Sequence, residues 1–280
     1  MSSRRITAAA VTTAAIALAL TGCAGSPDPG STTPAADCTP AHADLTPITP
    51  GTLTVTAYVS PPYTTEEDGT IKGVDGEIVA ALAKLECLQL DAQAVAGAAL
   101  PSTVESGRSD IAIGGVYANA DRAATFSLTV PMYLDQAALL SRDGIDSIEG
   151  LQGKKLGVIQ GYLWNAEFQT ALGSDNVVVY QDSASLVADI QNGRVDAGAF
   201  TSAEAALRAQ ESGSLKSAVL QPTPEVPSSQ QPNDVVLLLN KSATALTDAL
   251  NDDIKSLIDD GTMADILQEN GIDPSLVAKD

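Results

Sequence analysis

Histidine occurs once in the 280 residues, at His42, and this near-absence excludes Ser-His-Asp and Cys-His catalysis. His42 falls in a Ser/Thr/Pro-rich stretch, so it reads as a solvated bystander, and a histidine-based metal site is not expected. Aromatic residues make up 4% of the chain against 44% hydrophobic, which predicts an aliphatic core. Basic residues are few, 15 against 35 acidic, giving a formal net charge of −20 that repels nucleic acid and anionic headgroups. The acidity alone identifies no ligand. No glycine-rich phosphate loop is present, since Gly157-Val158-Ile159-Gln160-Gly161 lacks the spacing and the Lys-Ser/Thr of a P-loop. Asp68 to Glu77 fails as an EF-hand because Lys72 stands where an oxygen is needed. The carboxylate runs Glu66-Glu67-Asp68, Asp252-Asp253 and Asp259-Asp260 read as solvated loops and helix faces. No stretch approaches the roughly 20 apolar residues of a spanning helix.

Arg4 and Arg5 precede an apolar, alanine-rich run from Ile6 to Leu20, which small residues connect to Cys23. A charged start, a short apolar segment and a cleavage site make an export signal. Leu20-Thr21-Gly22-Cys23 resembles the lipobox of bacterial lipoproteins. That resemblance implies a signal peptide over residues 1–22, a lipid on Cys23 and an extracytoplasmic, membrane-anchored protein. An ordinary secretory signal with a chance cysteine is the other reading. With Cys23 lipidated, Cys38 and Cys87 are left as a pair in an oxidising compartment, either bridged or as two free thiols. A Cys38–Cys87 bridge would be structural, because no Cys-x-x-Cys lies nearby. Residues 23–50 read as a lipidated Ser/Thr/Pro-rich spacer, solvated and partly extended, with a composition that suits O-glycosylation.

From residue 51 onward β-branched runs alternate with helical patterns, in a length that suits one large or two modest domains. Strands are expected at Leu53–Val59, Leu88–Val95, Ile111–Ile113, Ala137–Leu140, Leu156–Ile159, Val177–Tyr180, Val195–Phe200 and Val235–Leu239. Helices are expected at Asp75–Leu85, Leu100–Ser106, Leu163–Leu172, Ser185–Asn192, Ser202–Gln210, Ala243–Asp259 and Met263–Asn270. The alternation argues for an α/β fold with largely parallel sheets. Gly107-Arg108-Ser109-Asp110-Ile111-Ala112 is echoed by Gly193-Arg194-Val195-Asp196-Ala197-Gly198, each a helix end, a glycine cap and a buried strand. The echo suggests two similarly built lobes.

The segment from Gly51 to about Pro274 resembles the extracytoplasmic solute-binding proteins of polar amino-acid ABC importers. The resemblance is carried, in order, by Gly51-Thr52-Leu53-Thr54-Val55, Pro61-Pro62-Tyr63, Gly73-Val74-Asp75-Gly76-Glu77-Ile78, the two Gly-Arg-x-Asp junctions, Leu151-Gln152-Gly153-Lys154-Lys155-Leu156-Gly157-Val158 and Asp260-Gly261-Thr262-Met263. It implies the type II periplasmic-binding-protein fold, with a ligand cleft between two α/β lobes joined by two crossing strands. Lobe I would comprise residues 51–136 and 235–280, and lobe II residues 137–234. The crossings would lie near Asp135–Leu140 and Gln230–Val236. Gly115-Val116-Tyr117-Ala118-Asn119-Ala120-Asp121-Arg122 matches the stretch whose arginine grips a ligand α-carboxylate, bidentately. Arg122 would take that role, the alternative being a surface arginine beside Asp121. Asn119 would cap the following helix, Gly115 would offer a carbonyl to an ammonium, and Tyr63 would pack on the ligand. The chain departs from the family in lobe II. Gly161-Tyr162-Leu163-Trp164 replaces Gly-Ser-Thr, and Thr201 stands where an aspartate usually holds the ammonium. Acidic groups near the hinge, such as Asp135 or Asp182, would compensate for the missing aspartate. The covering aromatic falls near Gly97, leaving Tyr58, Tyr117, Tyr162 and Trp164 as possible aromatic walls. The implied function is a monomeric, non-catalytic receptor without cofactor or metal. It would capture an amino acid or related carboxylate and pass it to an ABC permease. A receptor signalling to a membrane kinase and a dehydratase-like enzyme on the same scaffold are the alternatives.

Overall fold

The computed structural model describes residues 34, 37–43 and 45–279. The expected signal peptide, Cys23 and the start of the spacer lie outside these residues. Two five-stranded sheets organise the chain. In the first, β1 (Thr52–Tyr58) lies parallel between β4 (Gln89–Val95) and β5 (Ile111–Ile113). β14 (Leu238–Asn240) pairs antiparallel with β5 and with β6 (Phe126–Leu128). In the second, β9 (Leu156–Ile159) lies parallel between β10 (Val177–Tyr180) and β11 (Ala197–Thr201). β8 (Ala137–Ser141) runs antiparallel to both β11 and β12 (Lys216–Val219). The sheets are therefore mixed, which corrects the expectation of largely parallel ones. Each keeps three parallel strands, then one that runs against them (β14 or β8) and an edge strand that runs with them (β6 or β12), so two of its four pairings are antiparallel.

Sequence chemistry accounts for these strands. Leu53, Val55 and Ala57 of β1 are buried between threonines that face a wetter side. β8 and β11 are buried at every position and read as apolar runs, the signature of a sheet covered on both faces. Helices α1 (Gly73–Leu85), α2 (Leu100–Glu105), α8 (Thr244–Asp259) and α9 (Thr262–Glu269) come from the first segment and the chain end. The segment between contributes α4 (Ile148–Leu151), α5 (Asn165–Leu172), α6 (Ser183–Gln191) and α7 (Ser202–Ser212). Short α3 (Ala120–Thr125) precedes β6.

The two Gly-Arg-x-Asp junctions do the same work in each sheet. Gly107 and Gly193 adopt φ of +69° and +72°, which glycine accepts freely at a helix end. Asp110 accepts from the Thr54 amide at 2.9 Å and returns its own amide to the Thr54 carbonyl at 2.9 Å. Asp196 makes the same reciprocal pair with Lys155, at 2.8 and 2.9 Å. Each aspartate thus sews a strand entry to its neighbouring strand.

Between the sheets, β7 (Tyr133–Asp135) pairs antiparallel with β13 (Asn233–Val235). A single strand was expected over Val235–Leu239. Instead the chain breaks after β13, where the Val236 amide bonds to Val116 O and the Leu237 amide to Thr129 Oγ1. A small hairpin of β2 (Thr65–Glu67) and β3 (Thr70–Lys72) leads into α1. These three-residue strands, like β6 and the four-residue β12, carry too little periodicity to be seen in sequence.

The end of the spacer is docked rather than solvated, a second correction. Leu45 packs on the buried apolar core, the Ala41 amide donates to Leu85 O, and the Ile48 amide donates to Asp110. His42 is no bystander, since its Nδ1 lies 2.5 Å from Glu86 Oε1. Asp253, expected on a solvated face, is buried. Cys38 and Cys87 form a disulfide with Cα atoms 5.8 Å apart, which ties this docked tail to the end of α1.

The bridge closes a loop of 49 residues, for which the chain-entropy account gives up to about 4 kcal/mol. Cys38→Ser should lower stability by about 2–4 kcal/mol in urea unfolding. Reductant should lower the wild type to the level of the variant and leave the variant unchanged.

Candidate functional site

A cavity of about 320 Å³ opens between the two sheets, large enough for a small polar molecule. Tyr58, Gly97, Gly114, Gly115, Tyr117 and Arg122 line it from the first side, and Gln160–Trp164 with Thr201 from the second. Its floor is backbone. Gly114 and Gly115 have φ of +132° and +67°, and their amides donate to Asp75 at 3.0 and 2.8 Å. A side chain at Gly114 would meet the Tyr58 carbonyl at 2.7 Å, so the turn requires glycine.

Arg122 is half-buried on α3. Asn119 caps that helix, its side chain accepting from the Arg122 amide at 2.7 Å, and so fixes the arginine's origin. The guanidinium donates to Tyr117 O at 2.5 Å and, across the cavity, to Gly161 O at 3.1 Å. Among the described residues it has no carboxylate partner, and it is the one charged side chain lining the cavity. Burial works against its charge. An anion held by the two Nη groups would repair that imbalance.

The walls are aromatic. Trp164, 1% exposed, meets Tyr117 and Tyr162 edge-on at centroid distances of 5.7 and 5.5 Å. The Tyr58 ring lies 3.1 Å from where a side chain at Gly97 would begin, so Tyr58 fills the room left by that glycine. Trp164 Nε1, Tyr58 Oη and Thr201 Oγ1 are buried and make no hydrogen bond. Tyr58 stands near the Tyr162 hydroxyl, and Thr201 near that of Tyr63, without reaching bonding geometry. Trp164 caps α5 with no side chain on the first helical amides.

The expected residues fall as follows. Gly115, Tyr117, Arg122, Tyr162, Leu163, Trp164 and Thr201 all line the one cavity. Asn119 stands behind it as the cap of α3. Tyr63 does not line it. That ring is fully buried, stacks on Tyr133 at 6.1 Å, and donates its hydroxyl to Asp135. Asp135 is committed to Tyr63, the Gln136 amide and Ser202. Asp182 is spent on capping α6. Neither aspartate lines the cavity as an acidic substitute.

Glu204 was not singled out from sequence. It is fully buried in the first turn of α7, accepting from Tyr162 at 2.9 Å and from Ser60 at 3.4 Å. Ser60 belongs to the first half and Tyr162 to the second, so this trio and Arg122–Gly161 are two polar contacts across the cavity. A lone acidic residue in the alanine-rich Ser202-Ala203-Glu204-Ala205-Ala206, four before Arg208, was the available signal. Burial pushes the Glu204 carboxyl up, and hydrogen bonds from Ser183 and Tyr162, the Arg208 charge and Ser60 pull it partly back.

A model of "Bacterial extracellular solute-binding proteins, family 3" matches residues 53–271. The probable amino-acid-binding protein YxeM of Bacillus subtilis (strain 168) is 26% identical over 141 residues, 49% of this chain and 53% of YxeM. The match spans about half the length of that curated relative. The amino acid ABC transporter substrate-binding protein AbpA of Streptococcus pneumoniae, solved with L-arginine, superposes with a TM-score of 0.71 at 23% identity. That alignment covers 79% of this chain and 94% of AbpA. ArtJ of Geobacillus stearothermophilus, an arginine-, lysine- and histidine-binding protein, gives 0.71 at 17% identity, over 79% and 95%. The relatives are substrate-binding proteins, not enzymes, and their likeness establishes the type II periplasmic-binding fold.

A carboxyl raised by burial stabilises the fold at low pH, and that contribution is lost as pH rises from the ordinary 4.5 through the folded value. Glu204→Gln should therefore gain stability relative to the wild type as pH is raised from 4 to 8. Urea unfolding across that range checks the slope.

Proposed function

The chain belongs to the bacterial extracellular solute-binding proteins of family 3, and from that premise we propose that its cavity captures a small polar carboxylate, an amino acid or derivative, for an ABC importer. Arg122 carries the reading: a guanidinium on a cavity wall, bonded to two carbonyls and opposed by no carboxylate. A ligand carboxylate would receive both Nη groups, and the uncapped first turn of α5 would assist with backbone amides. Unpartnered Trp164 Nε1, Tyr58 Oη and Thr201 Oγ1 favour a ligand rich in acceptors. Thr201 is neutral, so a ligand ammonium would be met by carbonyls and aromatic faces and not by a carboxylate. We assign lobe I to residues 51–136 and 235–280 and lobe II to 137–234, with β7 and β13 as the crossing strands. Closure of the lobes on the ligand would make the shape that a permease reads. The Arg122–Gly161 and Ser60–Tyr162–Glu204 contacts support this reading, since each joins elements of the two lobes. The Leu20–Cys23 motif supports an extracytoplasmic protein held to the membrane by lipid on Cys23. No described helix is long and apolar enough to cross a membrane.

Thermal unfolding against amino acids, amines and organic acids tests the assignment. A ligand at a hundred times its Kd adds about 2.7 kcal/mol. Arg122→Ala should weaken that ligand roughly a hundredfold or more, the worth of two charge-assisted hydrogen bonds, with the unliganded fold intact. Retained affinity would overturn the grip. Thr201→Asp should shift preference toward ligands with a free α-ammonium.

A further inference from the structure

Away from the cavity, the docked tail meets the end of α1 and the middle of α8 at three side chains. His42 Nδ1 lies 2.5 Å from Glu86 Oε1 and 3.9 Å from Asp253 Oδ1. One donor atom from each residue falls within 4.8 Å of the others. The Glu86 and Asp253 side chains are 1% and 4% exposed, and the imidazole is 34% exposed. Glu86 also accepts the His42 amide at 3.1 Å, which fixes the carboxylate and the tail together. Asp253 Oδ2 is buried without a hydrogen bond.

Two buried carboxylates face each other here as acceptor against acceptor. Among the described residues no lysine or arginine reaches either of them, and His42 is the one basic group in range. Burying like charges with so little compensation is costly unless a cation or a shared proton joins them. The unpartnered Asp253 oxygen and the exposed edge of the imidazole leave room for one to be coordinated and for it to enter.

We propose that His42, Glu86 and Asp253 form a binding site for a late first-row divalent cation such as Zn²⁺, which pins the N-terminal tail to α1 and α8. One imidazole nitrogen and two carboxylates suit that class, whereas Ca²⁺ and Mg²⁺ prefer all-oxygen shells. Donors on one tetrahedral Zn²⁺ stand roughly 3.3 Å apart, and the two His42 distances each lie within about 1 Å of that. The site sits beside the Cys38–Cys87 bridge, so covalent and coordinate ties would secure the same few residues. Three protein ligands leave a fourth position for Asp253 Oδ2 or water.

The experiment uses the full chain, purified without a histidine tag so that His42 is the sole imidazole, and stripped with chelator. Titration calorimetry with Zn²⁺ should give one site per chain, with Ca²⁺ at least a hundredfold weaker. His42→Ala, Glu86→Gln and Asp253→Asn should each weaken Zn²⁺ at least tenfold. Co²⁺ should develop visible absorption that His42→Ala abolishes while circular dichroism stays unchanged. The imidazole, exposed over about a third of its surface where the two carboxylates are buried, makes that variant the one least able to disturb folding. No uptake would mean that the carboxylates are held by a shared proton, and the proposal fails. Uptake undiminished in His42→Ala would mean adventitious binding to an acidic surface, and it fails equally.

Discussion

Two buried tyrosine–aspartate pairs hold the middle of this protein together. Tyr63, from the loop before the β2–β3 hairpin, donates to Asp135 on crossing strand β7. Tyr133, on the same strand, donates back to Asp75 at the start of α1 at 2.6 Å. The two rings stack with planes 4° apart. Asp75 also takes the amides of the cavity floor, and Asp135 takes the hydroxyl and amide of Ser202 at the start of α7. No lysine or arginine pairs with either carboxylate among the described residues; hydroxyls and amides satisfy them. Burial raises both carboxyls, and the donated hydrogen bonds limit that rise. One polar network therefore fixes the first helix, the glycine turn, a crossing strand and the second half's α7 in mutual register.

The arginine site is an outgrowth of that framework. The glycine turn held by Asp75 leads directly into Tyr117, Asn119 and Arg122. Position on the wall is thus inherited from a buried carboxylate on the far side of the backbone. The second half contributes the aromatic bulk of Tyr162 and Trp164, the start of α5 and the neutral Thr201. The cavity is consequently walled by aromatic rings, with Arg122 as the one charged side chain that lines it among the described residues.

Much of this was legible in the sequence. Strands with clear alternation or unbroken apolar character, such as β1, β5, β9 and β10, fall within a residue of where the pattern puts them. The repeated Gly-Arg-x-Asp junctions announced two sheets of like construction. Edge strands β6 and β12 and the split of β13 from β14 did not show, because tertiary pairing sets them. Site residues on one continuous motif, Gly115 to Arg122, were readable together. Tyr63 was misread because its partner, Asp135, lies 72 positions away and draws the ring into the core. Glu204 and His42 escaped for the same reason, since their surroundings are assembled from distant segments.

Trp164 is the chain's only tryptophan, and it stands on the cavity wall with Tyr117 of the opposite half against its edge. Its indole N–H has no partner. Emission from such a ring depends on nearby water and hydrogen bonding, so all of the protein's tryptophan fluorescence originates at the boundary between the two halves. Filling the cavity, or parting its walls, changes that single fluorophore's surroundings with no second tryptophan to dilute the signal. The molecule carries its own optical gauge of occupancy, placed there by packing.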